Sequence, residues 1–81
     1  MGKHRALRRA IVEVIAEERR RQKLSKRALS LKLGEYEGYV HAIETFQHVL
    51  KAEEFVVIAE GLGCAPSRLL VRAIRRSQAK T

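Results

Sequence analysis

The sequence predicts an all-α fold of five helices in a single domain over residues 1–81, with a core from about residue 5 to residue 76. Apolar residues recur at intervals of three and four in several segments, and this spacing places side chains on one face of an α-helix. The chain has no Asp, no Asn and a single Pro, so it is poor in residues that favour turns. Its 81 residues leave room for one small domain.

The first two helices are predicted from about Arg5 to Gln22 and from about Lys26 to Leu33. The apolar positions of the first helix predict one stripe along a single face: Leu7, Ile11, Val14 and Ile15. Ser25 is a suitable N-cap for the second helix, because its hydroxyl can accept a hydrogen bond from an N–H of the first turn. Gly34 follows the second helix, where a left-handed residue without a Cβ allows a sharp turn.

The third helix is predicted from about Glu37 to Phe46, followed by a connection over 46–52 in which Val49 and Leu50 fold back on the core. A fourth helix ends near Gly61 or Gly63. Pro66 begins a fifth helix that reaches Arg76, because the first helical position loses nothing by lacking an N–H. The predicted core residues after the first helix are Leu29, Leu33, Val40, Ile43, Phe55, Ile58 and Leu62. Cys64, the one cysteine, is expected to be a small buried residue without a disulfide.

One stretch has the spacing of a helix-turn-helix, in which two short helices flank a glycine-bearing turn. Its residues are Leu24-Ser25, Leu29, Leu33-Gly34, Val40 and Ile43-Glu44. From about Ile15 to Leu70 the chain resembles the small DNA-binding domains of the Cro and C1 phage-repressor family, also called the XRE family. Phe55, Ile58-Ala59, Leu62-Gly63 and Leu69-Leu70 look like that family's fourth and fifth helices. The resemblance implies a five-helix lambda-repressor-like bundle.

The resemblance also implies a function and a set of contacts. Family members read the major groove with the start of the third helix, and the matching positions for groove and base contacts are Tyr36, Glu37, Gly38, His41 and Ala42. A glutamate can accept a hydrogen bond from cytosine N4, while tyrosine and histidine can donate to base edges. In the family, an arginine late in the first helix pairs with the glutamate that ends the third, which here implies a partly buried pair of Arg19 and Glu44.

Charge is unevenly distributed along the chain, whose net charge is +8 at pH 7. Residues 1–27 carry a net +7, residues 28–65 a net −4 and residues 66–81 a net +5. Clustered cations release counterions when they meet phosphates, so the basic ends predict double-stranded DNA as partner, the alternative being ordinary solvated helix faces. The expected phosphate contacts are Lys3, Arg5, Arg8, Arg9, Lys26, Arg27, Gln47 and Lys51, with Arg68, Arg72, Arg75 and Arg76 on the last helix.

The resemblance implies a two-fold dimer formed by the C-terminal end, which matches palindromic operators. The corresponding apolar residues are Leu69, Leu70, Ala73 and Ile74, and the alternative is that they only close the monomer core. The predicted function is therefore a dimeric, sequence-specific transcriptional regulator on operator DNA, in the cytoplasm and associated with the nucleoid. Two alternatives stay open: a protein–protein interaction module on the same scaffold, and a nonspecific architectural DNA binder.

Other classes find little support in the sequence. No apolar run is long enough for a membrane span, although the amphipathic first helix would permit weak attachment to a membrane surface. No nucleophile can be paired with a base and no phosphate-binding loop is present, so an enzyme is not expected. Glu37, His41 and Glu44 lie at helical spacing, but Glu44 is assigned to Arg19 and no fourth ligand is evident, so neither a metal nor another cofactor is expected.

Overall fold

The computed structural model of the protein describes residues 2–79, with the side chains of residues 4–79, and this part of the chain is all-α. Within that range there are five helices: α1 (Gly2–Arg21), α2 (Lys26–Lys32), α3 (Tyr39–Glu44), α4 (Ala52–Gly61) and α5 (Pro66–Ala79). The predicted all-α class is confirmed, and Pro66 is the first residue of α5 as expected.

Four of the predicted helix boundaries were wrong. The first helix begins at Gly2 instead of Arg5, and the last continues to Ala79 instead of ending near Arg76. The third helix has six residues instead of ten. It begins late because a turn, closed by the Tyr39 N–H on the Tyr36 carbonyl oxygen, holds Glu37 outside the helix. It ends early because Phe46 has a φ of 63°, which breaks the right-handed repeat.

The buried face of α1 is broader than the predicted stripe. Val14 and Ile15 are buried as expected, but Leu7 and Ile11 are only partly buried. Three residues outside the predicted stripe are buried as well: Ala10, Val12 and Ala16. The reason is that α1 packs against α5 on one side and against α3 on another, so more than one face is covered.

The remaining core agrees largely with the predicted residues. Leu29, Val40, Ile43, Phe55, Ile58 and Leu62 are buried, whereas Leu33, Leu50 and Cys64 are partly buried against the core. Val49 does not fold back on the core as predicted, since its side chain is exposed. Gly61 leaves room for the Leu33 side chain, because a Cβ at this position would lie 2.6 Å from Cδ2 of Leu33. Burial raises the pKa of the Cys64 thiol.

A carboxylate on α1 joins the two terminal helices. Glu18 is buried, and its side chain accepts hydrogen bonds from Arg21, from Gln22 at 3.0 Å and from Arg72 of α5 at 3.1 Å. Arg72 and Arg76 also form ion pairs with Glu17. The fold thus places both arginines against carboxylates of α1, and a phosphate contact by either of them stays a prediction.

Glu18 makes the stability of the protein depend on pH. Hydrogen bonds from Arg21 and Gln22, opposed by burial and aided by Arg72, lower the pKa of Glu18 from 4.5 to about 2. A carboxyl whose pKa is lower in the folded than in the unfolded state stabilises the fold above pH 4.5, and this contribution is lost as the pH falls toward 2.

We therefore expect urea denaturation to show that Glu18→Gln destabilises the protein at pH 7 and that its deficit relative to wild type shrinks progressively from pH 5 to pH 2.5. Glu60→Gln, on the exposed face of α4, is the matched control and should change the free energy of unfolding by less than about 0.5 kcal/mol. A deficit that stays constant over this pH range would show that the Glu18 carboxylate contributes no such pH dependence.

None of the helices within residues 2–79 has both the length and the apolar character that crossing a lipid bilayer requires.

Candidate nucleic-acid interface

The candidate interface begins at the first turn of α2. The Ser25 hydroxyl accepts a hydrogen bond from the Ala28 N–H at 2.9 Å, which confirms Ser25 as the N-cap. Lys26 and Arg27 are the first two residues of the helix. After the helix, Gly34 adopts a left-handed φ of 77°, and its N–H donates to the Leu31 carbonyl oxygen at 3.0 Å. The predicted turn at Gly34 is therefore present.

A buried hydroxyl connects α2 to the start of α3. Ser30 lies in α2 with no exposed surface, and its Oγ donates to the Lys26 carbonyl oxygen at 2.8 Å. The same Oγ accepts a hydrogen bond at 3.0 Å from the N–H of Val40, in the first turn of α3. Gly38, the N-cap residue of α3, has no side chain to serve this N–H. Ser30 therefore caps α3 from a different helix.

The other end of α3 is held by an ion pair. Arg19 donates from Nε to Glu44 Oε2 at 2.7 Å and from Nη2 to Glu44 Oε1 at 3.0 Å. The two side chains are only 8% and 6% exposed. Nη1 of Arg19 donates to the Leu24 carbonyl oxygen at 2.9 Å, in the connection between α1 and α2. The structure thus brings together the two residues that the resemblance implied, and the pair ties α3 to α1.

Two contacts join the predicted phosphate residues to the predicted groove residues. Lys26 Nζ lies 3.5 Å from His41 Nδ1, and Arg27 Nε lies 3.3 Å from Glu37 Oε1. Tyr36 is 61% exposed beside them, with its ring 5.9 Å from that of Tyr39 in an edge-to-face arrangement. We call these residues the α2–α3 edge: Lys26, Arg27, Tyr36, Glu37 and His41. Gly38 and Ala42, both partly buried, border it on α3.

The connection after α3 carries two further predicted phosphate contacts, Gln47 and Lys51, and both side chains are exposed. The Gln47 N–H donates to the Ala42 carbonyl oxygen at 2.8 Å, so this connection folds back onto α3. The Lys51 N–H donates to Glu54 Oε1 at 2.8 Å and thereby begins α4. Hydrogen bonds to α3 and to α4 therefore hold the two ends of this connection in place.

The Glu54 carboxylate also accepts a hydrogen bond from the Tyr39 hydroxyl at 2.8 Å. Its Oε2 lies 2.8 Å from Nε2 of His48. Burial acts to raise its pKa, but the hydrogen bonds from the Lys51 N–H, Tyr39 and His48 outweigh burial and lower it. Burial and the adjacent Glu54 carboxylate raise the pKa of Tyr39 above its usual value. The Tyr39 hydroxyl therefore stays protonated at neutral pH and keeps α3 bonded to α4.

The basic N-terminal end is partly accessible to a ligand. Arg5, Arg8 and Arg9 are exposed on α1, while the side chain of Lys3 lies outside the described residues. At the other end of the chain, Arg68 and Arg75 are exposed on α5. The predicted dimer strip is half wrong, because Leu69 and Ala73 are buried in the monomer core. The other two residues of the strip, Leu70 and Ile74, lie exposed on α5.

Helical spacing over residues 37–44 suggested three metal ligands on one face, but the structure separates them. Glu37 lies before α3 and pairs with Arg27, while Glu44 pairs with Arg19. Over the described part of the chain, no group of three or more histidine, cysteine or acidic side chains is placed to hold a metal ion.

Comparison with known proteins identifies no relative: no family model, no curated protein and no solved structure matches the chain.

Sequence reasoning missed two buried polar side chains, Ser30, which connects α2 to α3, and Glu18, which connects α1 to α5. Helical spacing places each of them on a face with apolar core residues: Ser30 lies three residues before Leu33, and Glu18 lies four residues after Val14. A polar residue on an apolar helix face needs a buried partner, and this was the available signal. Spacing could have identified the local partners of Glu18, which are Arg21 and Gln22. It could not identify Val40 or Arg72, because these partners come from other helices.

Proposed function

We propose that the protein is a sequence-specific DNA-binding regulator of the Cro/C1 type, with α2 and α3 acting as its helix-turn-helix. The α2–α3 edge carries this proposal: Lys26 and Arg27 on α2 lie within 3.5 Å of His41 on α3 and of Glu37 in the turn before α3. Side chains able to contact phosphates thus lie next to side chains able to contact base edges. Cations at the start of α2 suit phosphates, and the Tyr36 hydroxyl and His41 ring suit hydrogen bonding in the major groove. The net charge of +8 favours association with a polyanion.

Glu37 does not count against this function, because its charge is partly compensated. Arg27 lies beside it at 3.3 Å, and both side chains are about two-thirds exposed. Exposed ion pairs of this kind contribute only about 0 to 1 kcal/mol, so the pair can exchange partners at low cost. On DNA, Arg27 would contact a phosphate and Glu37 would accept a hydrogen bond from cytosine N4.

A dimer through α5 forms part of the same proposal. Leu70 and Ile74 are four residues apart, which places them on one side of the helix, and both are exposed. Two copies joined by this face would present two α2–α3 edges to half-sites about 34 Å apart, one turn of DNA. Arg68 and Arg75 on the same helix add exposed positive charge.

A protein partner is the second candidate, favoured by the exposed apolar and aromatic side chains next to α3. Tyr36, Phe46 and Val49 are all exposed large side chains in the residues that flank this helix. Aromatic residues are enriched at protein interfaces, and Glu35 and Glu37 would add complementarity to a basic partner. In this case DNA selection would return no preferred sequence.

Selection from a random duplex pool, followed by sequencing, tests the DNA proposal. We expect wild type to enrich a motif, and we expect Tyr36→Ala and His41→Ala each to relax one or two positions of it. A lost base contact costs about 1 to 3 kcal/mol, so discrimination at those positions should fall about 5- to 150-fold. Val57→Ala, an exposed truncation on α4, is the control and should leave the motif unchanged.

A second experiment, the salt dependence of affinity, separates base contacts from phosphate contacts. Arg9→Ala should weaken binding to all sequences alike and reduce the slope of log affinity against log salt by about 0.9, as measured by fluorescence anisotropy. Absence of any enriched motif would rule out specific readout. Salt-dependent binding without a motif would instead identify a nonspecific DNA binder.

A further inference from the structure

An open apolar groove lies on a different part of the surface from the edge proposed to read bases. Its volume is about 630 Å³, and its walls come from the first half of α1, the connection after α3 and the first turns of α4 and α5. The apolar lining includes Leu7, Ile11, Phe46, Phe55, Val56 and Leu70. Pockets that bind small molecules commonly measure about 300 to 1,000 Å³, so the groove has a suitable size.

Phe46 is an unusual residue at this groove. Its φ of 63° lies in the left-handed region, which is unfavourable for a residue with a bulky side chain and is normally occupied by glycine. Phe46 is nevertheless 48% exposed and lines the groove. Core packing of its ring therefore offsets little of the backbone strain. Strained conformations of this kind persist at functional sites. The position and exposure of the Phe46 ring therefore indicate a ligand-contacting role.

The charges around the groove select the kind of ligand. Arg8 and Lys51 line it from opposite elements, α1 and the residue before α4, and His4 lies on the same side as Arg8. Among the described residues that line the groove there is no carboxylate. An arginine guanidinium binds a carboxylate through two parallel hydrogen bonds, and a lysine adds a point charge. The groove is thus complementary to a molecule with an apolar body and an anionic head.

We propose that this groove binds a small amphipathic carboxylate, such as a medium-chain fatty acid. The apolar chain lies against Phe46, Phe55 and Val56, and the carboxylate binds between Arg8 and Lys51. The α5 dimer face proposed above shares Leu70 with this groove. A second copy seated in the groove itself fits less well, because it would bring Arg8 and Lys51 of the two copies together.

NMR titration of the ¹⁵N-labelled full chain at pH 7 tests this proposal without DNA, so its result is independent of the proposed regulator function. The probes are octanoate, 1-octanol and octyltrimethylammonium, which share one chain length and differ in head-group charge. We expect octanoate to shift amide signals around Phe46 and Val56 and to bind at least about tenfold more tightly than the cationic probe, as a charge-assisted hydrogen bond requires. Equal affinity for the three probes, or shifts scattered over the surface, would overturn the proposal.

Variants then locate the two halves of the site. Arg8→Gln and Lys51→Gln should each weaken octanoate binding several-fold, and Val56→Trp should abolish it by filling the groove. Arg75→Gln, which removes an exposed α5 cation outside the groove, is the matched control and should bind octanoate as wild type does. Circular dichroism establishes that each variant is folded. Sedimentation equilibrium measures the oligomeric state of wild type and Val56→Trp. A wild-type dimer that Val56→Trp converts to monomer would overturn the proposal, because the groove would then be a subunit interface.

Discussion

Replacing Arg19 with alanine should destabilise the protein by about 3 to 5 kcal/mol, the largest effect that we expect from a single substitution. Arg19 and Glu44 form a two-pronged ion pair whose side chains are almost fully shielded from water. Removing the guanidinium leaves the Glu44 carboxylate buried without its partner, and it also removes the hydrogen bond to the Leu24 carbonyl oxygen. Because α3 ends at Glu44, the loss is concentrated where α3 is attached to α1.

Urea denaturation followed by circular dichroism measures this loss. Arg20→Ala removes the next arginine, which is exposed, and should change the free energy of unfolding by less than about 0.5 kcal/mol. The double variant Arg19→Met/Glu44→Leu should recover much of the stability, because replacing a buried pair with apolar residues of similar size is often neutral. An Arg19→Ala loss below about 0.5 kcal/mol would contradict the role assigned to the pair.

The second large effect is expected from Ser30→Ala, which should cost about 1 to 3 kcal/mol. The alanine fits the space, but the buried N–H of Val40 then loses the hydroxyl that accepts its hydrogen bond at 3.0 Å. Gly38 precedes α3 as its N-cap and offers no side chain to replace it. We therefore expect the first turn of α3 to loosen, and with it the position of the α2–α3 edge.

Urea denaturation measures the cost, and hydrogen exchange at the Val40 amide locates it. Exchange at Val40 should become faster in Ser30→Ala by more than the global loss of stability accounts for, because local opening of the first turn becomes easier. Ser77→Ala is the matched control: the Ser77 hydroxyl also donates to a carbonyl oxygen of its own helix, that of Ile74, but this hydrogen bond is exposed. Equal effects of the two substitutions would show that capping by Ser30 adds nothing.

Helical spacing predicted the order and approximate position of the five helices, and the caps at Ser25 and Pro66 were readable from single residue types. The third helix was predicted too long because the helical spacing of side chains continues from Glu37 to Phe46. The helical backbone covers only Tyr39–Glu44. Its ends depend on a turn closed at Tyr36 and on a left-handed Phe46. A left-handed phenylalanine has no sequence signal, since its side chain disfavours that conformation.

Part of the candidate site was predictable because it depends on local sequence. The residues of the α2–α3 edge are close in sequence, and two short helices joined by a turn bring them together. The roles of the C-terminal arginines and of the apolar strip on α5 were not predictable in this way. Arg72 meets Glu18 across 54 positions of the chain. Whether Leu69 is exposed or buried depends likewise on how α5 packs on the core.

The sequence alone therefore determined the net positive charge, which is a matter of composition, and whatever depends on neighbours within a few positions: the all-α class, the order of the helices and the turn at Gly34. The tertiary structure decided which charges are free, which apolar residues are spare and which hydroxyl caps α3. The physical reason is that a side chain's partner on another helix depends on how the helices pack, and packing is a property of the whole core rather than of any local segment.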